Sequence, residues 1–474
     1  MRPRPATVTA CGMAPAARRI RPRDGAEHAK AINPDLQDDK PGARGARSTI
    51  DMSSDLRVTG DMEDRTAQVV EAEAAAVLGF DPGDPAFRAD PYAHYRRLAA
   101  GGRRLHRTEV GLRVTTSYDL CEQVLRDPRF GHRPEGGGLW RESRVRNRSF
   151  LTLDPPDHTR LRRLVSKAFT PRLVERLRPR VEALVDELLD GVSGEVDLIA
   201  TLAYPLPVIV ISEMLGVPPR DRDLFKGWSD SLARGLDPDF LLPEDEIGRR
   251  ETAREEFAAY FRDLAAERRA RPQDDLLSAL VSVSDGGDVL SEEELLATCV
   301  LLLVAGHETT VNLIGNGALA LLRDPAQLEL FRARPENVQA AVEELLRYDP
   351  PVQLTLRAAL EDVELDGTPV ERGRLVLLLT GAANRDPAVF DDPDRLDLTR
   401  YTEGRDAPRH LSFGHGIHFC LGAPLARLEG QVALKKLFER DVALAGTDPA
   451  GGGLVYRDNL VLRGLRDLPV TIRA

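Results

Sequence analysis

The stretch FGHGIHFCLG, residues 413–422, decides how this chain is read. One cysteine, Cys420, stands among three glycines (Gly414, Gly416, Gly422) and two histidines (His415, His418). A turn needs no thiol, and a buried core cysteine needs no glycines around it. Glycine lets a backbone press against a flat partner with no Cβ in the way. The continuation LGAPLARLEGQVALKKLF puts Leu421, Leu425, Leu428 and Val432 on one helical face. Cys420 therefore sits at or just before a helix N-terminus. Unpaired amides and the positive dipole end stabilise a thiolate there, the form of cysteine that binds metals.

Three readings of the stretch stand side by side. His415, His418 and Cys420 could hold zinc, although zinc wants a closed tetrahedron and a fourth ligand that the loop does not supply. Cys420 could be a single axial thiolate under haem, with His418 turned to a propionate. Or the cysteine is buried and inert.

Bulk composition narrows the classes. The 474 residues are 42% hydrophobic and 30% charged, enough for a large core. A net charge of −11 speaks against nucleic acid or an anionic membrane as partner of the whole chain. Cys11, Cys121, Cys299 and Cys420 are scattered, without metal-knuckle spacing, which excludes a disulfide scaffold and fits a reducing cytoplasm. Residues 1–50 carry ten Lys/Arg against five Asp/Glu and no apolar periodicity. Residues 1–74 read as a disordered basic tail or an over-extended start, with Met52 or Met62 as alternative beginnings. The longest apolar run, LLATCVLLLVA (295–305), is about half a bilayer span, so no membrane segment is expected.

Helical signals dominate from about residue 155 to 350. Asp154 and Pro155 are placed to start a helix over DHTRLRRLVSKAF, and PRLVERLRPRVEALVDELLDGV (171–192) has apolar residues at helical spacing. Residues 246–270 form a charged amphipathic helix. A capping box, Ser291 to Glu294, opens a helix of some 30 residues that ends before Pro325. So long and apolar a helix must cross the middle of the molecule. Strand signals lie at 104–117, 363–379 (with an Asp366-Gly367 hairpin turn) and 454–472. The expected fold is mainly α, one unit over 75–474 with small β-sheets at one side.

With these motifs placed, the chain resembles the cytochrome P450 family. FGHGIHFCLG matches that family's haem-binding signature at every fixed position. AGHETT (305–310) is similar to its oxygen-activation motif, EELLR supplies its E-x-x-R pair as Glu344 and Arg347, and DPPDHTRLRR looks like its C-helix signature. The resemblance covers roughly residues 75–474 and is nearest to soluble bacterial members. It implies the P450 fold, a helical bundle around haem b, with Cys420 as the iron's axial ligand. It implies that His158, Arg162, Arg357 and His418 serve the propionates, and that Phe413, Gly414, Gly422, Ala305 and Gly306 lie against the haem. In DDPDRLDLTR (391–400) it points to Arg395 as the residue that joins the Glu344–Arg347 pair.

Chemistry follows from the resemblance. Thr309 donates protons to bound dioxygen and Glu308 reloads it, while Gly306 opens room for a small ligand. The alternative for this turn is a helix kink with a back-bonded threonine. The implied activity is monooxygenation in secondary metabolism. No P-loop or dinucleotide-binding motif is present and no length remains for a flavin reductase, so a ferredoxin and ferredoxin reductase are the expected partners of a monomeric protein. Arg160 and Arg163 could greet the acidic donor or be a merely solvated face. Expected pocket walls, 131–150, 235–246, Val352–Leu356 and Asn459–Leu462, are mostly apolar and suit a lipophilic substrate. Two other classes stand against this reading. A haem sensor or electron carrier would need no proton relay, and a peroxide-driven haem enzyme tends to lose the acid–alcohol pair.

Overall fold

The computed structural model describes residues 78–132, 149–237, 239, 242–446 and 453–473. The tail expected over 1–74, Cys11 and most of the 131–150 wall lie outside the described residues.

The middle of the chain is helical. The helices that build the site are α1 (Asp157–Ala168), α2 (Pro171–Leu189), α3 (Pro205–Met214), α4 (Arg222–Ala233), α5 (Glu244–Ala270), α6 (Glu292–Arg323), α7 (Val338–Tyr348) and α8 (Ala423–Phe438). α2 begins where expected, because the Thr170 side chain accepts from Leu173 N. α1 does not. Asp154 fails to cap it, and the helix begins only at Asp157. The two prolines at 155 and 156 offer no N–H, and each keeps its predecessor out of the helical region. Asp154 turns instead to the loop before it and accepts from His132 N at 2.9 Å.

α6 is the axle of the fold. Both bonds of its capping box are present: Glu294 N donates to Ser291 Oγ at 3.2 Å, and Ser291 N to Glu294 Oε2 at 2.9 Å. Such a cap contributes about 1 kcal/mol. The apolar character extends well beyond the eleven-residue run, so α6 is long and apolar enough to cross a bilayer. Two thirds of its most apolar window is buried inside the molecule, where α3, α5, α7 and α8 pack on it.

Strands β1 (Leu105–Arg107), β2 (Arg113–Thr115), β3 (Phe130–Gly131), β4 (Gly194–Asp197), β5 (Thr355–Ala359), β6 (Val363–Leu365), β7 (Thr368–Val370), β8 (Leu375–Leu378), β9 (Asp441–Leu444) and β10 (Pro469–Arg473) form three small sheets. Their orders are β1-β2-β8-β5-β3, β4-β10-β9 and β6-β7. Only β2–β8 is parallel. Asp366 (φ 53°) and Gly367 (φ 69°) make the expected hairpin turn between β6 and β7. Of the strand signal over 454–472 only β10 is a strand. The rest makes single bridges, Tyr456 to Leu465 and Val352 to Leu462.

Candidate functional site

The Cys420 loop is shaped by its glycines. Gly414 and Gly416 adopt φ of 67° and 68°, a region that L side chains rarely enter, and a Cβ on Gly416 would overlap the Leu125 carbonyl. The loop closes where Cys420 N donates to Phe413 O at 3.0 Å. Burial pushes the Cys420 thiol up. The amides of Gly422 and Ala423 donate to its sulfur and pull it back, together with Arg162 and Arg427. Cys420 is thus three residues before α8, and the helix start does stabilise the anion. Phe413 lies under the Arg427 guanidinium, 4.5 Å from ring centre to carbon.

Helices α6 and α8 bring the two motifs to one end. A Cβ on Gly430 would meet Leu313 Cδ2 at 2.9 Å, and one on Gly317 would meet Leu434 Cδ1 at 3.3 Å. The two contacts advance four residues along both helices, so the helices run parallel. Two turns back, Ala305 is level with Gly422. Ala305 is exposed and Thr309 half-exposed, although Val304, His307, Glu308 and Thr310 around them are buried. Gly306 is itself half-exposed. Its missing side chain faces α3, where a Cβ would lie 3.4 Å from Ile211 Cδ1, so this glycine serves helix packing.

Thr309 Oγ1 donates to the Ala305 carbonyl at 2.8 Å, the back-bonded geometry. Glu308 points away from the opening into the core, where it is 2% exposed. Arg457 Nη1 donates to its Oε2 at 2.8 Å, and His307 Nε2 lies 3.0 Å from its Oε1. No hydrogen bond joins Glu308 to Thr309 among the described residues, since each side chain is engaged elsewhere.

Beside the Cys420 loop lies a cluster of donors. The His158 ring sits 4.1 Å from that of His418, and His132 sits 4.6 Å from His418. Among the described residues, neither nitrogen of His158 has a hydrogen-bond partner, nor does Nε2 of His418 or of His132. Arg162 Nη2 donates to Phe419 O at 2.6 Å. Arg357, 6% exposed, donates to Thr355 Oγ1 and the Leu356 carbonyl rather than to a carboxylate. Burial pushes Arg357 down to about 10. Burial, with Arg357, His158 and Arg162 alongside, pushes His418 down to about 3. Unpartnered ring nitrogens beside one buried and one half-buried guanidinium make a site that favours anions. Two carboxylates of a planar group fit it, and the thiol beside it fits that group's metal. His132 is the member that sequence reasoning missed, because a lone histidine after a two-residue strand carries no periodic signal.

Zinc does not fit. His415 Nδ1 accepts from its own neighbour Gly416 N at 2.7 Å, and its Nε2 lies 3.6 Å from Glu122. No group of three metal-ligating side chains forms among the described residues. Arg160 and Arg163 are not a free face either. Arg160 pairs with Glu294, and Arg163 with Asp285 and Asp288.

Behind the loop is a buried charge network. Arg347 donates twice to Glu344, at 2.8 Å each, both residues being fully buried. The third member is Arg400, not Arg395. Arg400 Nε donates to Glu344 Oε2 at 3.1 Å, whereas Arg395 contributes only its carbonyl, 3.1 Å from Arg347 Nη2. Four residues separate the two arginines, and only the later one is returned to the carboxylate. Glu343 makes a second clamp, accepting from Arg427 at 2.6 and 2.7 Å and facing His410 Nε2 at 3.2 Å. Arg427 and His410 outweigh burial and hold Glu343 down at about 2.

The unfolded chain therefore takes up a proton on Glu343 below pH 4.5 that the folded one refuses. Stability from this group is complete above that pH and lost as pH falls toward about 2. We expect Glu343→Gln to be less stable than the parent at pH 6 by on the order of 2 kcal/mol. The gap should narrow by pH 3.5 in urea melts at the two pH values. An equal gap at both would remove the clamp.

Two of the segments named as pocket walls are joined by hydrogen bonds. Buried Asp237 accepts from Leu460 N and Val461 N at 3.1 and 2.9 Å, tying the end of α4 to the 459–462 segment.

A family model, Cytochrome P450, matches residues 104–333 and 334–440. The chain is similar to the cytochrome P450 monooxygenase PikC of Streptomyces venezuelae, 46% identical over 400 residues, covering 82% of this chain and 92% of that one. It is 47% identical over 376 residues to the 6-deoxyerythronolide B hydroxylase of Saccharopolyspora erythraea, covering 76% and 90%. Among solved structures, the cytochrome P450 PksS of Bacillus subtilis superposes with a TM-score of 0.74 at 39% identity, over 83% of this chain and all of that one.

Proposed function

Since the chain belongs to the cytochrome P450 family of haem-thiolate monooxygenases, we propose that it inserts one oxygen atom from O2 into a lipophilic small molecule, with electrons from a separate ferredoxin and its reductase. The observation that carries this reading is the set of unpartnered donors around the Cys420 loop. The orphaned ring nitrogens of His132, His158 and His418, with the guanidiniums of Arg162 and Arg357 beside them, would hold two propionates, and the Cys420 sulfur, which accepts from the Gly422 and Ala423 amides, would bind the iron. When bound, haem b supplies oxygen activation. The chain supplies the rest. Phe413, Gly414 and Gly422 fix the loop, and Ala305 leaves the opposite wall low. Thr309 gives up its bond to the Ala305 carbonyl and donates its proton into the opening. A lipophilic substrate agrees with the names of relatives, which include a vitamin D3 25-hydroxylase and a polyketide biosynthesis enzyme.

Reconstitution tests the reading. NADPH alone should give no turnover, and a ferredoxin with its reductase should restore it. Thr309→Ala should still consume NADPH while its yield moves from oxygenated product to hydrogen peroxide, by on the order of tenfold in the product-to-NADPH ratio. Turnover with NADPH and no partner would overturn the electron route. Unchanged coupling in Thr309→Ala would leave that threonine as a helix-bending residue.

A further inference from the structure

Glu343 and Arg427 stand beside the Cys420 loop, and oxygen insertion by itself gives them no task. Arg427 belongs to the second turn of α8, and Glu343 to the middle of α7. Arg427 Nε and Nη2 donate to Glu343 Oε1 and Oε2 at 2.6 and 2.7 Å. Such a fork fixes the guanidinium in place. It holds the group over the Phe413 ring, 4.5 Å from its centre. The Phe413 carbonyl in turn accepts from Cys420 N. The His410 ring lies 5.8 Å from the Phe413 ring, tilted by 47°.

Donor counting gives the charge of this cluster. Ser412 N donates to His410 Nδ1 at 3.3 Å, so that nitrogen carries a lone pair. The ring hydrogen is then on Nε2 and points to Glu343 Oε2 at 3.2 Å. His410 is therefore neutral. One cation, Arg427, and one anion, Glu343, remain, and they cancel. Arg427 nevertheless acts on the sulfur, since it favours the Cys420 thiolate against burial. The other charged groups at the loop are Arg162, Arg409 stacked on the Phe419 ring at 4.3 Å, and the Glu344 network one residue along α7. A positive charge near a metal-bound sulfur draws density from it and eases one-electron reduction of the metal, and a negative charge does the reverse.

We propose that Glu343 and Arg427 form a balanced charge pair that sets the reduction potential of the iron held by Cys420, with Glu343 offsetting the pull of Arg427. This rests on the haem-thiolate reading. The step it governs is the passage of one electron from reduced ferredoxin to the iron, in which no bond is made or broken at either residue. Both are positioning residues, since each acts through the Cys420 sulfur.

Potentiometric titration of the haem-loaded, substrate-free protein at pH 7.5 tests the pair, with the Soret maximum checking that the spin state is the same throughout. Glu343→Gln leaves Arg427 unbalanced and should raise the potential. Arg427→Gln leaves Glu343 unbalanced and should lower it. Each shift should be on the order of tenfold in the ratio of reduced to oxidised iron at a fixed poise. The double variant should return close to the parent. Arg427→Lys keeps the charge without the fork and should also stay close to it. A merely structural clamp would move both single variants the same way, and the double variant at least as far. Shifts of one sign, or no shift in either single variant, overturn the proposal. A thiolate CO band in each variant shows that ligand and fold are intact. If Glu343→Gln loses that band, Arg427→Gln against Arg427→Lys decides, and equal potentials for these two overturn the pair. Absence of the band in the parent sinks the haem reading instead.

Discussion

Cys420→Ser is expected to lose the red-shifted Soret band of the reduced CO complex and to cut turnover by on the order of 10³-fold or more, about 4 kcal/mol of barrier. The argument is one of charge. A serine hydroxyl is not ionised near neutral pH, and the amides of Gly422 and Ala423 that assist a thiolate cannot supply the missing electron density. Thiolate donation favours O–O cleavage, and an alcohol does not replace it. The other described cysteines are controls. Cys121 and Cys299 are fully buried, and burial pushes both thiols up, Cys299 to about 12. Cys121→Ala and Cys299→Ala should keep the band, with only the cost of a small cavity. A thiolate-type spectrum in purified Cys420→Ser would show that another sulfur serves the iron.

Arg347→Ala is expected to destabilise the fold by about 3–5 kcal/mol, because it leaves a fully buried carboxylate with only Arg400 and the Asp397 amide for partners. Arg347 spends its donors on Glu344 twice and on the carbonyls of Asn384, Pro393 and Arg395. Its removal therefore unpairs three backbone groups as well as the ion. Asn384 also reaches the Cys420 loop side, since its Nδ2 donates to Ser412 Oγ and its Oδ1 accepts from Leu411 N. Loss of the network should show as weak haem retention before it shows as unfolding. Two neighbours discriminate the geometry. Arg400→Ala should cost on the order of 1–3 kcal/mol, since Glu344 keeps Arg347. Arg395→Ala should stay within about 0.5 kcal/mol, because its side chain is exposed and only its carbonyl is used. Denaturant midpoints and haem loss to apomyoglobin measure both effects. A cost for Arg395→Ala above that of Arg400→Ala would reverse the assignment.

Local order was legible in the residues. The capping box at Ser291, the hairpin at Asp366-Gly367 and the thiol placed before α8 are short-range facts. Each depends on groups within a few residues, so the string of letters contains them. The Asp154 cap was also a short-range expectation and failed for a short-range reason, the two prolines after it. The apolar length of α6 implied a central helix, although composition alone could not separate a core axle from a membrane span. Burial against α3, α5, α7 and α8 made that distinction.

The sequence by itself determined the family, because the FGHGIHFCLG and AGHETT motifs are written in contiguous residues. Tertiary structure decided which distant side chains complete them. His132 joins His158 and His418 only because β3 pairs with β5. Arg457 reaches Glu308 from 149 residues away. Arg400 rather than Arg395 returns to Glu344, and Gly306 packs against Ile211. The physical reason is common to all four. Where a side chain ends depends on the direction in which its backbone is held. For loops and late strands, packing partners far along the chain set that direction, and no local propensity encodes them.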